Sequence, residues 1–285
     1  MRIERHVIVR ALRDALWVAV VPSFWILFVS RWGSIGRDSA HAYWNAWNQG
    51  LYGAPPGSLD AYNYSPAFAQ LVYPLTLLPW QAFLVVWSAL LCAALVWLLW
   101  PMQRQWRWLA LAYMAPPAVA IGNIEPLLAV AAVLGLRYPA AWAFPILTKV
   151  TPGLGPLWFA VRREWRSVGV SLGGTAAVVA VSVALAPGLW TDWLAFLSGS
   201  SDVEIRYLPL WLRLPIAVAL VVWGALRGRR GLLAVAMVFA MPLWSAGVLL
   251  LLAAVPRLRL GTIRGVDSVA VKPLTSAEAG SEPGS

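Results

Sequence analysis

Residues 31–66 read RWGSIGRDSAHAYWNAWNQGLYGAPPGSLDAYNYSP. They are the longest polar interruption in an apolar chain, and the fold turns on where they sit. Before them, Leu12 to Val29 is an apolar segment behind a basic start (Arg2, Arg5, Arg10, Arg13). After them, apolar runs near the ~20 residues that cross a bilayer recur as far as Val255. The stretch therefore reads as a loop on one membrane face, with helices forming a bowl beneath it.

Composition agrees. Of 285 residues, 60% are hydrophobic and 12% charged, against roughly 25% charged in a soluble domain. Mean hydropathy is +0.69. The 19 Trp and 21 Pro are too many for a simple soluble bundle. The expected fold is an all-α polytopic transmembrane bundle of about eight to ten membrane helices, some short and broken. One domain covers 1–255. The tail 256–285 is rich in Ser, Gly and Glu and reads as disordered.

The net charge of +10 does not mark a nucleic-acid surface. It sits in short clusters between apolar segments: Arg104 and Arg107; Arg162, Arg163 and Arg166; Arg227, Arg229 and Arg230; Arg257 and Arg259. Cytoplasmic loops hold membrane topology in this way. Both termini are then cytoplasmic. Of the 22 Lys and Arg, all but Arg31, Arg37, Lys149, Arg206 and Arg213 lie inside. The first apolar segment lacks a small-residue cleavage site and reads as a retained helix. The single cysteine, Cys92, and two histidines offer neither a disulfide nor a His-rich metal cluster.

Along the chain, Ser39 to Gly50 carries Tyr43, Trp44 and Trp47 at helical spacing, which suits a short interfacial helix. Ser65 to Leu78 is too short to span at 1.5 Å per residue and reads as a half-buried outer helix. Trp80 to Trp100 spans. Trp108 to Ile121 returns to Gly122-Asn123-Ile124-Glu125-Pro126. Pro139 to Val161 holds too many prolines for a straight helix, so two short helices are expected to meet at Thr148-Lys149-Val150-Thr151. Pro187 to Tyr207 reads as an outer loop.

Several residues carry candidate chemistry. Asp38 lies just past the first helix, where a carboxylate can take a proton from an attacking hydroxyl; helix capping is its other use. Lys149 lies between apolar half-helices. A buried ammonium costs about 3 kcal/mol on insertion scales and needs a partner, for which a lipid phosphate or Glu125 would serve. Arg206 and Arg213 can meet phosphate or anchor at the interface. Asn123 can cap a helix or bind a sugar hydroxyl. Tyr43, Tyr62 and Tyr64 combine a flat face with a hydroxyl.

Taken in order, these motifs resemble glycosyltransferase family 87, the polyprenyl-phosphate-mannose-dependent α-mannosyltransferases, which have a GT-C type fold. The family's Asp after the first helix, its Tyr and its Gly-x-x-Tyr-like element match Asp38, Tyr43 and Gly50-Leu51-Tyr52. Its entry into a Pro-Leu-x-x-Leu-Pro helix matches Tyr64-Ser65-Pro66 and Pro74 to Pro79. Its Gly-Gln-x-Asn matches Gly122-Asn123-Ile124-Glu125, with the polar residues shifted. Lys-x-x-Pro before a basic loop matches Lys149-Val150-Thr151-Pro152 and Arg162 to Arg166. The late Ser-Pro-x-Ser-Trp element matches Met241-Pro242-Leu243-Trp244, although Ser245, Ala246 and Gly247 follow it here in place of polar and His residues.

The resemblance implies transfer of a hexose, mannose first, from a polyprenyl-phosphate donor to a glycan or glycolipid hydroxyl, outside the cytoplasm of a bacterium. Asp38 would be the base. Lys149, with Arg206 second, would meet the leaving phosphate, where a preplaced cation lowers the barrier. Asn123, Glu125, Tyr43 and Tyr64 would contact substrate. No cofactor or metal is implied. A lipid or solute transporter fits the broken helices, and a non-catalytic family member fits the altered late motif. The concentration of polar groups outside favours the enzyme.

Overall fold

The computed structural model describes residues 5–30, 32–55, 58, 60–198, 208–243 and 246–260, and none of these lies in a β-strand. The helices are α1 Arg5–Ser30, α2 Ala40–Asn45, α3 Pro66–Thr76, α4 Trp80–Leu99, α5 Arg104–Ile121, α6 Glu125–Gly135, α7 Ala143–Lys149, α8 Gly155–Val161, α9 Trp165–Leu185, α10 Pro187–Ser198, α11 Leu210–Leu226 and α12 Gly231–Ala240. A 3₁₀ segment, Ala246–Ala254, then runs on as α-helix to Leu260.

Among the described residues, Val7–Ser30, Trp80–Leu99 and Trp165–Leu185 are long and apolar enough to cross a bilayer. α5 and α6 qualify as a fourth span if taken together, but they meet at a bend of 117°. The long helices expose apolar side chains such as Val85, Leu90, Val181 and Leu185. In water such surface would be unfavourable; in lipid it is the required coat. This is a polytopic all-α membrane protein.

The two ends of the bundle differ in kind. At one end, α1 meets the start of α5 through Arg13 and Gln105 (2.8 Å). Arg162 reaches the Ala225 carbonyl (3.2 Å). Arg257 donates to the Trp97 carbonyl and packs on that indole. The basic clusters thus gather at this end, at the termini of α4, α8, α11 and the last helix. The opposite end carries the aromatic loop after α1, the α5–α6 bend, the end of α7, and α10, whose Phe196 touches Tyr52.

The core lies where α6, α11, α12 and the last helix cross. Ala129, Ala132, Ala217, Ala234, Ala236 and Ala253 are fully buried there. Between helices in lipid, close backbone approach provides most of the attraction, and small residues allow it. Trp142 fixes the turn from α6 to α8. It is fully buried between Gly135 and Gly155, where an added Cβ would overlap its indole.

Three local features depart from the sequence pattern. The interfacial helix is shorter than 39–50: α2 stops at Asn45, and turns lead to Gly50 at φ +66°. The segment from Pro187 begins as helix α10, because a proline in the first turn starts a helix as readily as it ends one. The last helix continues past 255 to Leu260, with Leu258 buried.

Candidate active site

The site is built on the α5–α6 elbow. Gly122 ends α5 in the left-handed conformation at φ +72°, and its N–H donates to the Ala118 carbonyl. A side chain there would be strained, and its Cβ would come within 2.5 Å of the Ala40 methyl. Only glycine lets α2 lie against the elbow. Two backbone bonds stitch the contact: Gly36 N–H to the Ala120 carbonyl (2.9 Å) and Ser39 N–H to the Ile121 carbonyl (3.1 Å). The exposed turn bearing Asp38 is thus pinned to the last residues of α5, ahead of the elbow.

From Asn123 a buried polar chain runs inward. Its Oδ1 accepts from the Ile124 N–H (2.8 Å), Tyr43 hydroxyl (2.8 Å) and Tyr64 hydroxyl (3.0 Å). The two hydroxyls also lie 2.8 Å apart. Its Nδ2 donates to Glu125 Oε1 (2.8 Å). The amide orientation follows from the network, since the carboxylate only accepts. Lys149 Nζ donates to the same Oε1 (3.1 Å) and sits over the Tyr64 ring. Glu125 is 1% exposed, and its Oε2 has no hydrogen-bond partner.

Helix ends explain why a charge pair tolerates this position. Glu125 opens α6, where the helix dipole favours an anion, and Lys149 closes α7, where it favours a cation. Beyond Lys149 the chain breaks at Val150, with φ +54°. A β-branched residue rarely adopts such a backbone, and strain of this kind clusters at functional sites. The tyrosine ring set closes the other side: Tyr52 donates to the Tyr64 carbonyl and Tyr62 to the Ser65 carbonyl. Burial pushes the Tyr43, Tyr62 and Tyr64 hydroxyls above the ordinary phenol range. They remain protonated donors at any working pH.

An apolar groove of ≈ 570 Å³ opens beside this chain. Phe68 and Leu71 of α3, Phe144, Leu147 and Thr148 of α7, and Val181 of α9 form its walls. Thr148 places the groove one residue from Lys149.

Five candidates therefore converge: Tyr43, Tyr64, Asn123, Glu125 and Lys149 share one network. Asp38 stands at the same end, on the turn stitched to the elbow. Arg206 and Trp244 lie outside the described residues. Arg213 is 2% exposed, and its guanidinium donates to the carbonyls of Leu208, Phe239, Met241 and Pro242. It closes the end of α12 and is not presented to a ligand. The sequence reading overlooked His41 and Asp60, which pair at 2.8 Å. The one sequence clue was a histidine placed two residues before Tyr43 in the polar loop.

The model of glycosyltransferase family 87 matches residues 62–274, more than half of the chain. The chain belongs to that family. Family 87 membership makes it a membrane glycosyltransferase, with a lipid-linked sugar donor and a glycan acceptor in general terms. Tyr64, Asn123, Glu125 and Lys149 fall inside the matched span, whereas Asp38 and Tyr43 precede it. Compared with curated proteins and with solved structures, the chain has no match.

Proposed function

We propose that this family 87 protein transfers a hexose, mannose first, from a polyprenyl-phosphate donor to a hydroxyl of a glycan or glycolipid, with inversion. The fold type is GT-C. The reaction lies on the outer face of a bacterial plasma membrane, with both termini and the basic end of the bundle cytoplasmic.

The observation that carries this reading is the stitching of the Asp38 turn to the elbow that bears Asn123, Glu125 and, through them, Lys149. Asp38 accepts the proton of the acceptor hydroxyl. The freed oxygen attacks the anomeric carbon, and the bond to the phosphate oxygen breaks with its electron pair going to phosphate. Negative charge grows there, and a fixed cation stabilises it. Lys149 has three N–H donors and gives one to Glu125, which leaves others for phosphate. Arg206 is the second candidate cation. The groove ending at Thr148 suits the polyprenyl chain, and Tyr43, Tyr64 and Asn123 line the sugar's approach.

The test uses membranes holding the full chain and radiolabelled polyprenyl-phosphate mannose. Asp38→Asn is expected to abolish transfer while insertion stays normal. Lys149→Ala is expected to raise the donor KM more than the acceptor KM. Undiminished transfer by Asp38→Asn removes Asp38 from the mechanism.

A further inference from the structure

The His41–Asp60 pair is not used by the mechanism above. His41 Nδ1 lies 2.8 Å from both carboxylate oxygens of Asp60. Because the carboxylate only accepts, the neutral ring carries its proton on Nδ1 and its lone pair on Nε2. Asp60 is itself held, with Asn45 Nδ2 at 3.3 Å and Gln49 Nε2 at 3.4 Å from its Oδ2. Its backbone sits at φ +70°, a region that Asp enters more readily than most residues.

The ring is walled by two indoles. Trp44 of α2 lies 5.3 Å away and Trp80 of α4 lies 4.8 Å away, centroid to centroid. Asp60 is the charged group hydrogen-bonded to the ring. Among the described residues, Nε2 has no hydrogen-bond partner, and the side chain is 28% exposed. The ring is therefore half-buried, held through Nδ1 and carrying an acceptor nitrogen that the fold itself does not use. A polar acceptor fixed beside two indoles, one tilted to it and one edge-on, is an arrangement that can bind a sugar: C–H groups against rings, a hydroxyl to the lone pair.

We infer that His41, oriented by Asp60, forms with Trp44 and Trp80 a subsite for a hydroxyl-bearing sugar of the acceptor. His41 lies on the same short helix as Tyr43, two residues past the Ser39 stitch, on the face turned to Trp80 rather than to the Tyr64 ring. The subsite deepens the transferase reading and rests on it for the acceptor's role. His41 binds; Asp60 positions it.

Two measurements test this. In transfer assays, His41→Ala and Asp60→Asn should each raise the acceptor KM about tenfold, the loss of one well-placed hydrogen bond. The donor KM should hold. His41→Gln keeps an accepting oxygen and should recover most of the loss. In parallel, methyl α-mannoside and methyl α-glucoside are titrated onto purified, donor-free protein, wild type against His41→Gln and His41→Ala. Hexoside binding that His41→Ala loses supports the subsite even where no transfer is seen, and that combination would overturn the transferase reading alone. Transfer that proceeds with an unchanged acceptor KM in His41→Ala, or with donor and acceptor KM worsened equally, overturns the subsite alone.

Discussion

Lys149 and Glu125 form a buried ion pair, 3.1 Å from Nζ to Oε1, at the facing ends of two short helices. The carboxylate's other oxygen is buried without a partner. The pair is thus anchored on one oxygen, and neither charge can be removed alone without leaving the other uncompensated.

Lys149→Met should strand the carboxylate and destabilise the protein by about 3–5 kcal/mol. The double variant Lys149→Met with Glu125→Gln should regain most of that, since no lone charge remains. Thermal unfolding in detergent measures both. Equal losses in the single and double variants would show that the two charges are not coupled.

Gly122→Ala should be far more damaging than an ordinary helical Gly→Ala change. The left-handed backbone alone costs about 1–2 kcal/mol with a Cβ, and the methyl would press on Ala40. Gly169→Ala is the control: it lies within α9 with open space around it and should gain about 0.5–1 kcal/mol. Sugar transfer by Gly122→Ala at wild-type rate would show that the stitch between α2 and the elbow is dispensable.

Arg213→Lys should fail to replace the wild type. The guanidinium fork reaches four carbonyls from two segments, whereas an ammonium is a point donor with different reach. Losing two of those bonds costs about 2 kcal/mol, most where the buried Met241 carbonyl is left unpaired. Reduced thermal stability with an unchanged donor KM is the expected result. A donor KM that moved instead would return Arg213 to the ligand.

Much of this was legible in the sequence because apolar length is a strong signal in lipid. The runs that became α4 and α9 are unbroken, and the prolines around Lys149 break the chain where the structure breaks. Residues Tyr43, Tyr64, Asn123, Glu125 and Lys149 stand out one by one. Their union depends on a left-handed glycine and a 117° bend, which no local pattern encodes. Pro187-Gly188 punctuates like a turn yet opens a helix. His41 and Asp60 lie nineteen positions apart, joined by a loop whose path the residue types do not dictate. Arg213 reads as an interfacial cation only until its four carbonyls are seen.

The Arg213 clamp has a mechanical consequence. It ties the entry of α11 to the exit of α12 through four hydrogen bonds, a joint that resists separation of those two helices. Among the described residues, the side-chain hydrogen bond across the wall of α3, α7 and α9 is Gln70 to the Ser182 carbonyl (3.2 Å). One hydrogen bond yields before four do, so strain across the bundle is relieved at the α3–α9 seam, along the apolar groove, before it reaches the α11–α12 joint.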